Sequence, residues 1–138
     1  MRWKIEVFHK ILKSGCRAED AKLRTADRLA NLVSVFCIIS WRVLWLTMLS
    51  RTSPDSPPTV PLADEEIVLL DRLVGDARNR KTKPGTLIFY LTKRARLGGY
   101  LARAADPPPG NTVIWRALTR LTDIKLGAEI AGDHHVGN

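Results

Sequence analysis

The chain has 138 residues, enough for one compact domain or two small ones. Hydrophobic residues make up 45% of it and four are Trp, which excludes a disordered tail. A formal charge of +8 and a pI near 10.0 exclude an acidic solvating protein and point to an anionic partner, nucleic acid or a membrane surface.

The spacing of apolar residues predicts a first helix over residues 3–13, ended by Ser14-Gly15. At ~100° per residue, Arg2, Glu6 and Lys13 fall within roughly 40° of arc, with His9 on the same stripe and Lys10 ~60° from its centre. Trp3, Ile5, Val7, Phe8, Ile11 and Leu12 fill the rest of the circle, so the helix is expected to face a core. Taken alone, Glu6 reads as an exposed helical glutamate paired with Arg2 and Lys10 at i,i+4 spacing. A polar stretch follows over residues 17–28, with Lys22, Arg24 and Arg28 as its basic members of interest. Cys16 and Cys37 have no zinc or redox spacing, and the charges at positions 2, 4, 6, 10 and 13 exclude the apolar run of a signal peptide. A reducing cytoplasm is the expected compartment.

Residues 29–49 are the most apolar part of the chain. A membrane span needs ~20 apolar residues. Here Arg42 sits near the middle, where an arginine costs ~2.5–3.5 kcal/mol, and Asn31, Ser34, Ser40 and Thr47 dilute the segment further. The expectation is a buried core helix and no membrane. Pro54, Pro57, Pro58 and Pro61 then forbid a continuous helix over 51–63, which reads as a linker and domain boundary.

A short helix is expected over 64–74, with Asp64, Glu65 and Glu66 at its positive end and Ile67, Leu69, Leu70, Leu73 and Val74 on its apolar face. From 77 to 103 the chain has cations and no acid: Arg78, Arg80, Lys81, Lys83, Lys93, Arg94, Arg96 and Arg103. Clustering of this kind suits a surface that tracks phosphates, and the run Arg78, Arg80, Lys81 and Lys83, with few aromatics beside it, suits backbone contact over base reading. A helix over 86–97 presents Leu87, Tyr90, Leu91 and, a turn on, Arg94. Gly98-Gly99 ends it where another helix packs close. After Pro107-Pro108-Pro109-Gly110, Asn111 or Thr112 caps a last helix to about 124, with Val113, Ile114, Ala117, Leu118 and Leu121 facing inward. His134-His135 reads as a solvated pair, since adjacent residues do not share a helix face. No strand is expected, and the chain reads as all-α.

The opening run Arg2-Trp3-Lys4-Ile5-Glu6-Val7-Phe8-His9-Lys10-Ile11-Leu12-Lys13 resembles the tyrosine–arginine–glutamate–lysine signature of bacterial cut-and-paste DDE transposases, of the insertion-sequence type that includes the kanamycin-resistance transposon enzyme. Arg96-Leu97-Gly98-Gly99-Tyr100 and Trp115-Arg116-Ala117-Leu118 are similar to that family's C-terminal domain, so the resemblance covers nearly the whole chain. It implies that residues 1–50 are the last helices of an RNase H-like catalytic domain, cut inside its last catalytic motif, and that 64–138 form a helical dimerisation domain. It implies that Glu6 is the third catalytic carboxylate and one ligand of an incomplete metal site, the family's tyrosine and two aspartates lying upstream. It implies phosphate contacts at Arg2, Lys10, Lys13 and Lys22 near the transposon end.

Full-length relatives use Mg²⁺ or Mn²⁺ for DNA cleavage and transfer; this chain is expected to hold none and to be inactive alone. Expected partners are transposon-end DNA and a second chain, in a homodimer or a mixed dimer with full-length transposase. Trp41, Val43, Leu44 and Leu46 are expected to lack their normal cover. The alternative reading is a non-enzymatic basic helical DNA-binding protein.

Overall fold

The structure is a computed structural model, and it describes residues 2–15, 25–75 and 82–133. All regular elements among the described residues are helical, so the all-α expectation holds. The chain divides into two compact units, Met1–Thr52 and Ser53–Asn138.

In the first unit α1 (Arg2–Lys10) runs directly into a π-helical turn, Ile11–Gly15, and both pack against α2 (Ala26–Thr52). The helical run thus reaches Gly15, widened over Ile11–Gly15, and the residues just past the expected stop lie outside the described ones. Ile11 is fully buried, and Val7, Phe8 and Leu12 are half-buried. Trp3 and Ile5 are 49% and 59% exposed, so the apolar circle of α1 faces a core along one side only.

α2 forms as one unbroken helix although polar residues interrupt its apolar run. Their hydroxyls are satisfied inside the helix: Ser34 donates to the Ala30 carbonyl at 2.8 Å, Thr47 to Val43 at 2.8 Å and Thr52 to Met48 at 3.1 Å. The helix stops just before Pro54, whose ring disfavours helical geometry in the preceding residue.

The expectation of a buried core helix is corrected. Ser40, Val43, Leu44 and Leu46 are buried, but Leu29, Val33, Val35, Ile38, Trp41 and Trp45 are exposed. Its most apolar 18-residue stretch has a mean hydropathy of 2.0 and is only 22% buried, so by length and composition α2 also meets the requirement for a membrane span. The first unit covers one side of α2 only, since Ile38, Trp41 and Trp45 stay exposed between buried Ser40, Val43, Leu44 and Leu46. At 1.5 Å per residue α2 is ~40 Å long, whereas α1 and its π turn together span ~21 Å. Of the four side chains expected to lack cover, Val43, Leu44 and Leu46 have it and Trp41, 61% exposed, does not.

The second unit contains α3 (Asp64–Leu73), α4 (Leu87–Leu97) and α5 (Asn111–Asp133), with α4 packed on both neighbours and α3 also touching α5. Its centre is Leu62, Leu70 and Leu121, with Ile67, Leu69, Tyr90 and Leu97 closing around them. Full burial of each large aliphatic chain contributes ~1.5–3 kcal/mol.

The proline-rich segment after α2 is built into this unit. Its backbone turns on itself, with Val60 N–H donating to Pro57 and Leu62 N–H to Pro58. The carbonyls of Ser56 and Pro54 accept the Leu87 and Ile88 N–H groups at 2.8 and 2.9 Å. The first turn of a helix has N–H groups with no intrahelical acceptor, and here the proline segment supplies acceptors for two of them.

α4 ends where expected, and the reason is contact. A Cβ on Gly98 would overlap the Val113 carbonyl of α5 and crowd the Ala117 backbone N at 3.0 Å. Gly99 takes φ +94°, the left-handed geometry that lets the Tyr100 N–H turn back to the Ala95 carbonyl at 3.0 Å. The following loop is tied by Arg103 N–H to Asp106 at 2.8 Å and by the Tyr100 hydroxyl to the Pro107 carbonyl at 3.0 Å. At the start of α5 the Gly110 carbonyl accepts the Val113 and Ile114 N–H groups, so Asn111 is already helical. α5 is helical as far as Asp133 and does not stop near 124, because Gly127 alone costs only ~1 kcal/mol and no stop signal stands beside it.

Candidate nucleic-acid interface

α1 holds the transposase-like stripe. Glu6, His9, Lys10 and Lys13 are all exposed. Arg2 is the first residue of α1, and its side chain lies outside the described residues. Lys22, Arg78, Arg80 and Lys81 also lie outside them, as do His134 and His135. Lys4 reaches the Trp3 ring with its ammonium 6.0 Å from the ring centroid, a contact of cation–π range.

Glu6 is the acid of α1. Among the described residues no three His, Cys, Asp or Glu stand close enough to hold a metal ion. A two-metal centre for phosphoryl transfer needs several carboxylates around its cations. The described residues therefore do not gather the set of carboxylates that such a centre needs.

The acid-free run from 77 to 103 divides into an inner and an outer set. Lys83 is exposed in the turn before α4, where its carbonyl accepts the Thr86 hydroxyl at 2.6 Å. Lys93 and Arg94 are not on the surface at all, with 4% and 2% exposure. This corrects the expectation that the whole run forms one phosphate-tracking face.

Lys93 Nζ lies 2.7 Å from Asp71 of α3 and 4.8 Å from the centre of the Phe89 ring. The Tyr90 hydroxyl donates to the other Asp71 oxygen at 2.9 Å. The hydrogen bond from Lys93 holds the Asp71 carboxyl below its ordinary value; partial burial opposes this, and Tyr90 adds to it. Arg94 faces Glu66 of α3 at 3.6 Å. Glu66 is itself buried and accepts the Ala63 N–H at 3.2 Å, which closes the start of α3. These cations tie α3 to α4. Arg94 was marked in the sequence by its place on the Leu87–Leu91 stripe; Lys93 carried no such sign.

The outer set includes Arg96, half-buried, and Arg103, exposed. Arg96 donates to the Gly75 carbonyl at 2.7 Å. Sequence reading did not single out Arg120, which lies in a mixed-charge helix and donates to the Leu97 carbonyl at 3.4 Å. On the same helix Lys125 pairs with Glu65 of α3 at 2.6 Å. No protein-family model matches the chain.

Proposed function

We propose that the chain is the C-terminal portion of a cut-and-paste DDE transposase of the insertion-sequence type. It works in the cytoplasm, binds DNA, and associates with copies of itself or with a full-length transposase. By itself it does not cleave DNA. The observation that carries this reading is the outward presentation of Glu6, Lys10 and Lys13 along one helix run, in the order and spacing of the family's last catalytic motif. Lysines there act as mobile point charges for phosphate. The exposed apolar side of α2 agrees with a segment that normally lies beneath further protein. Arg42, in the middle of α2, favours a protein cover over a bilayer.

The alternative, a non-enzymatic basic helical DNA-binding protein, draws on the buried Ile11, Val43, Leu44 and Leu46, which give the first unit apolar cover without any sheet. Incubation of the purified chain with supercoiled plasmid and Mg²⁺ or Mn²⁺ tests the proposal. Retardation of the plasmid at low salt without nicking is expected. Nicking that is lost in Glu6→Gln sinks the inactive-portion reading, and failure to retard DNA at low salt sinks both readings.

A further inference from the structure

We propose that the outer side of the α4–α5 crossing, carried by Arg96, Arg116 and Arg120, is a second contact surface for the phosphodiester backbone of nucleic acid. It is made of other residues than the α1 stripe and the basic run ahead of α4. The inference rests on the reading of the chain as a DNA-binding protein.

The crossing is fixed where Gly98 meets the backbone of Val113 and Ala117, and all three arginines lie within a turn of it. Arg116 and Arg120 are exposed and one helical turn apart on α5, so their side chains share a face. Two of the three are already held in place: Arg96 by the Gly75 carbonyl and Arg120 by the Leu97 carbonyl. Each carbonyl takes a hydrogen bond from one Nη1 and leaves the positive charge uncompensated. A guanidinium has five N–H donors, so a fork remains for the paired oxygens of a phosphate.

The contrast with the rest of the unit is what gives the surface meaning. Lys93, Arg94 and Lys125 are each matched to a carboxylate on α3. Among the described residues, Arg96, Arg116 and Arg120 form no ion pair with a carboxylate. The unit thus commits Lys93, Arg94 and Lys125 to carboxylates of α3, while Arg116 and Arg120 stay exposed on α5. An exposed pair of arginines suits phosphate contact, which positions a duplex and does not read its sequence.

The test is the salt dependence of duplex DNA binding by the full chain, compared with Arg116→Ala/Arg120→Ala and Arg116→Lys/Arg120→Lys. Each phosphate neutralised adds ~0.9 to the slope of log affinity against log salt. The alanine pair is expected to lower the slope by ~1.8, so that its loss of affinity between 50 and 200 mM salt is smaller on the order of tenfold. The lysine pair keeps the slope, because charge is retained. Equal melting temperatures show that the fold is intact. A parent that binds DNA with an alanine pair of unchanged slope overturns the inference alone, whereas a parent that binds no DNA overturns the DNA reading as well. Loss of binding to phosphatidylserine vesicles with unchanged DNA binding also overturns it, in favour of a membrane surface.

Discussion

Lys93 has a flexible stem and a strongly hydrated ammonium, yet it sits almost wholly inside the second unit. Asp71 and the faces of Phe89 and Tyr90 make that possible by replacing its water. Removing Asp71 leaves the ammonium buried without its carboxylate. Asp71→Asn is therefore expected to destabilise the unit by ~1–3 kcal/mol, read as a lower urea midpoint at pH 7. The pH dependence has a definite sign. Asp71 is held below its ordinary value, so its contribution is present above ~pH 4 and is lost as pH falls through the lower folded value. The gap between parent and Asp71→Asn should be widest at neutral pH and shrink as pH falls below the ordinary carboxylate range. A constant gap down to pH 2 would show that the pair is not the cause. Ala102 offers a second residue-scale test. It holds φ 55°, left-handed geometry that costs a residue with a Cβ roughly 1–2 kcal/mol. Ala102→Gly should leave stability unchanged or raise it by up to ~1 kcal/mol, because relief of strain outweighs the added chain entropy.

At the scale of elements, two glycines of the second unit should respond in opposite directions. Gly98→Ala forces a methyl group into the Val113 carbonyl and should destabilise by ~1–3 kcal/mol. Gly127→Ala meets nothing within 4 Å in the middle of α5 and should stabilise by ~1 kcal/mol. Thermal melts of the two variants against the parent decide both. The same glycines indicate what was legible in the chain. Gly98-Gly99 announced a close helix contact because only a missing Cβ permits one, and the contact is there. The weak patterning from Gly127 on announced no further helix, yet α5 is helical as far as Asp133. The acids of the first turn and the Leu70 stripe marked α3 to within a residue. The partners of Lys93 and Arg94 lie on another helix, and local spacing carries no record of them. As a result the basic run looked like one surface. The proline segment hid its role for the same reason: its acceptors serve α4, well away in sequence.

For the whole molecule, the governing quantity is the apolar surface that α2 leaves open. Its long apolar run announced a helix, but nothing within a helix states what covers it. Ile38 and Trp41, 68% and 61% exposed, stand beside Trp45 on one side of α2. Each large apolar side chain left in water forgoes ~1.5–3 kcal/mol, and a contiguous patch of them promotes association. The purified chain should therefore self-associate at micromolar concentration, and light scattering coupled to size exclusion should report a mass above that of one chain. Ile38→Lys/Trp41→Lys should bring the mass down to a monomer without lowering the melting temperature of the second unit, since neither residue belongs to its core. If association comes instead from α3–α5, the double variant keeps the parent's mass. A parent that is a monomer with one cooperative melt would show that the first unit tolerates its open face. In that case the independent DNA-binding reading gains over one in which further chain normally covers α2.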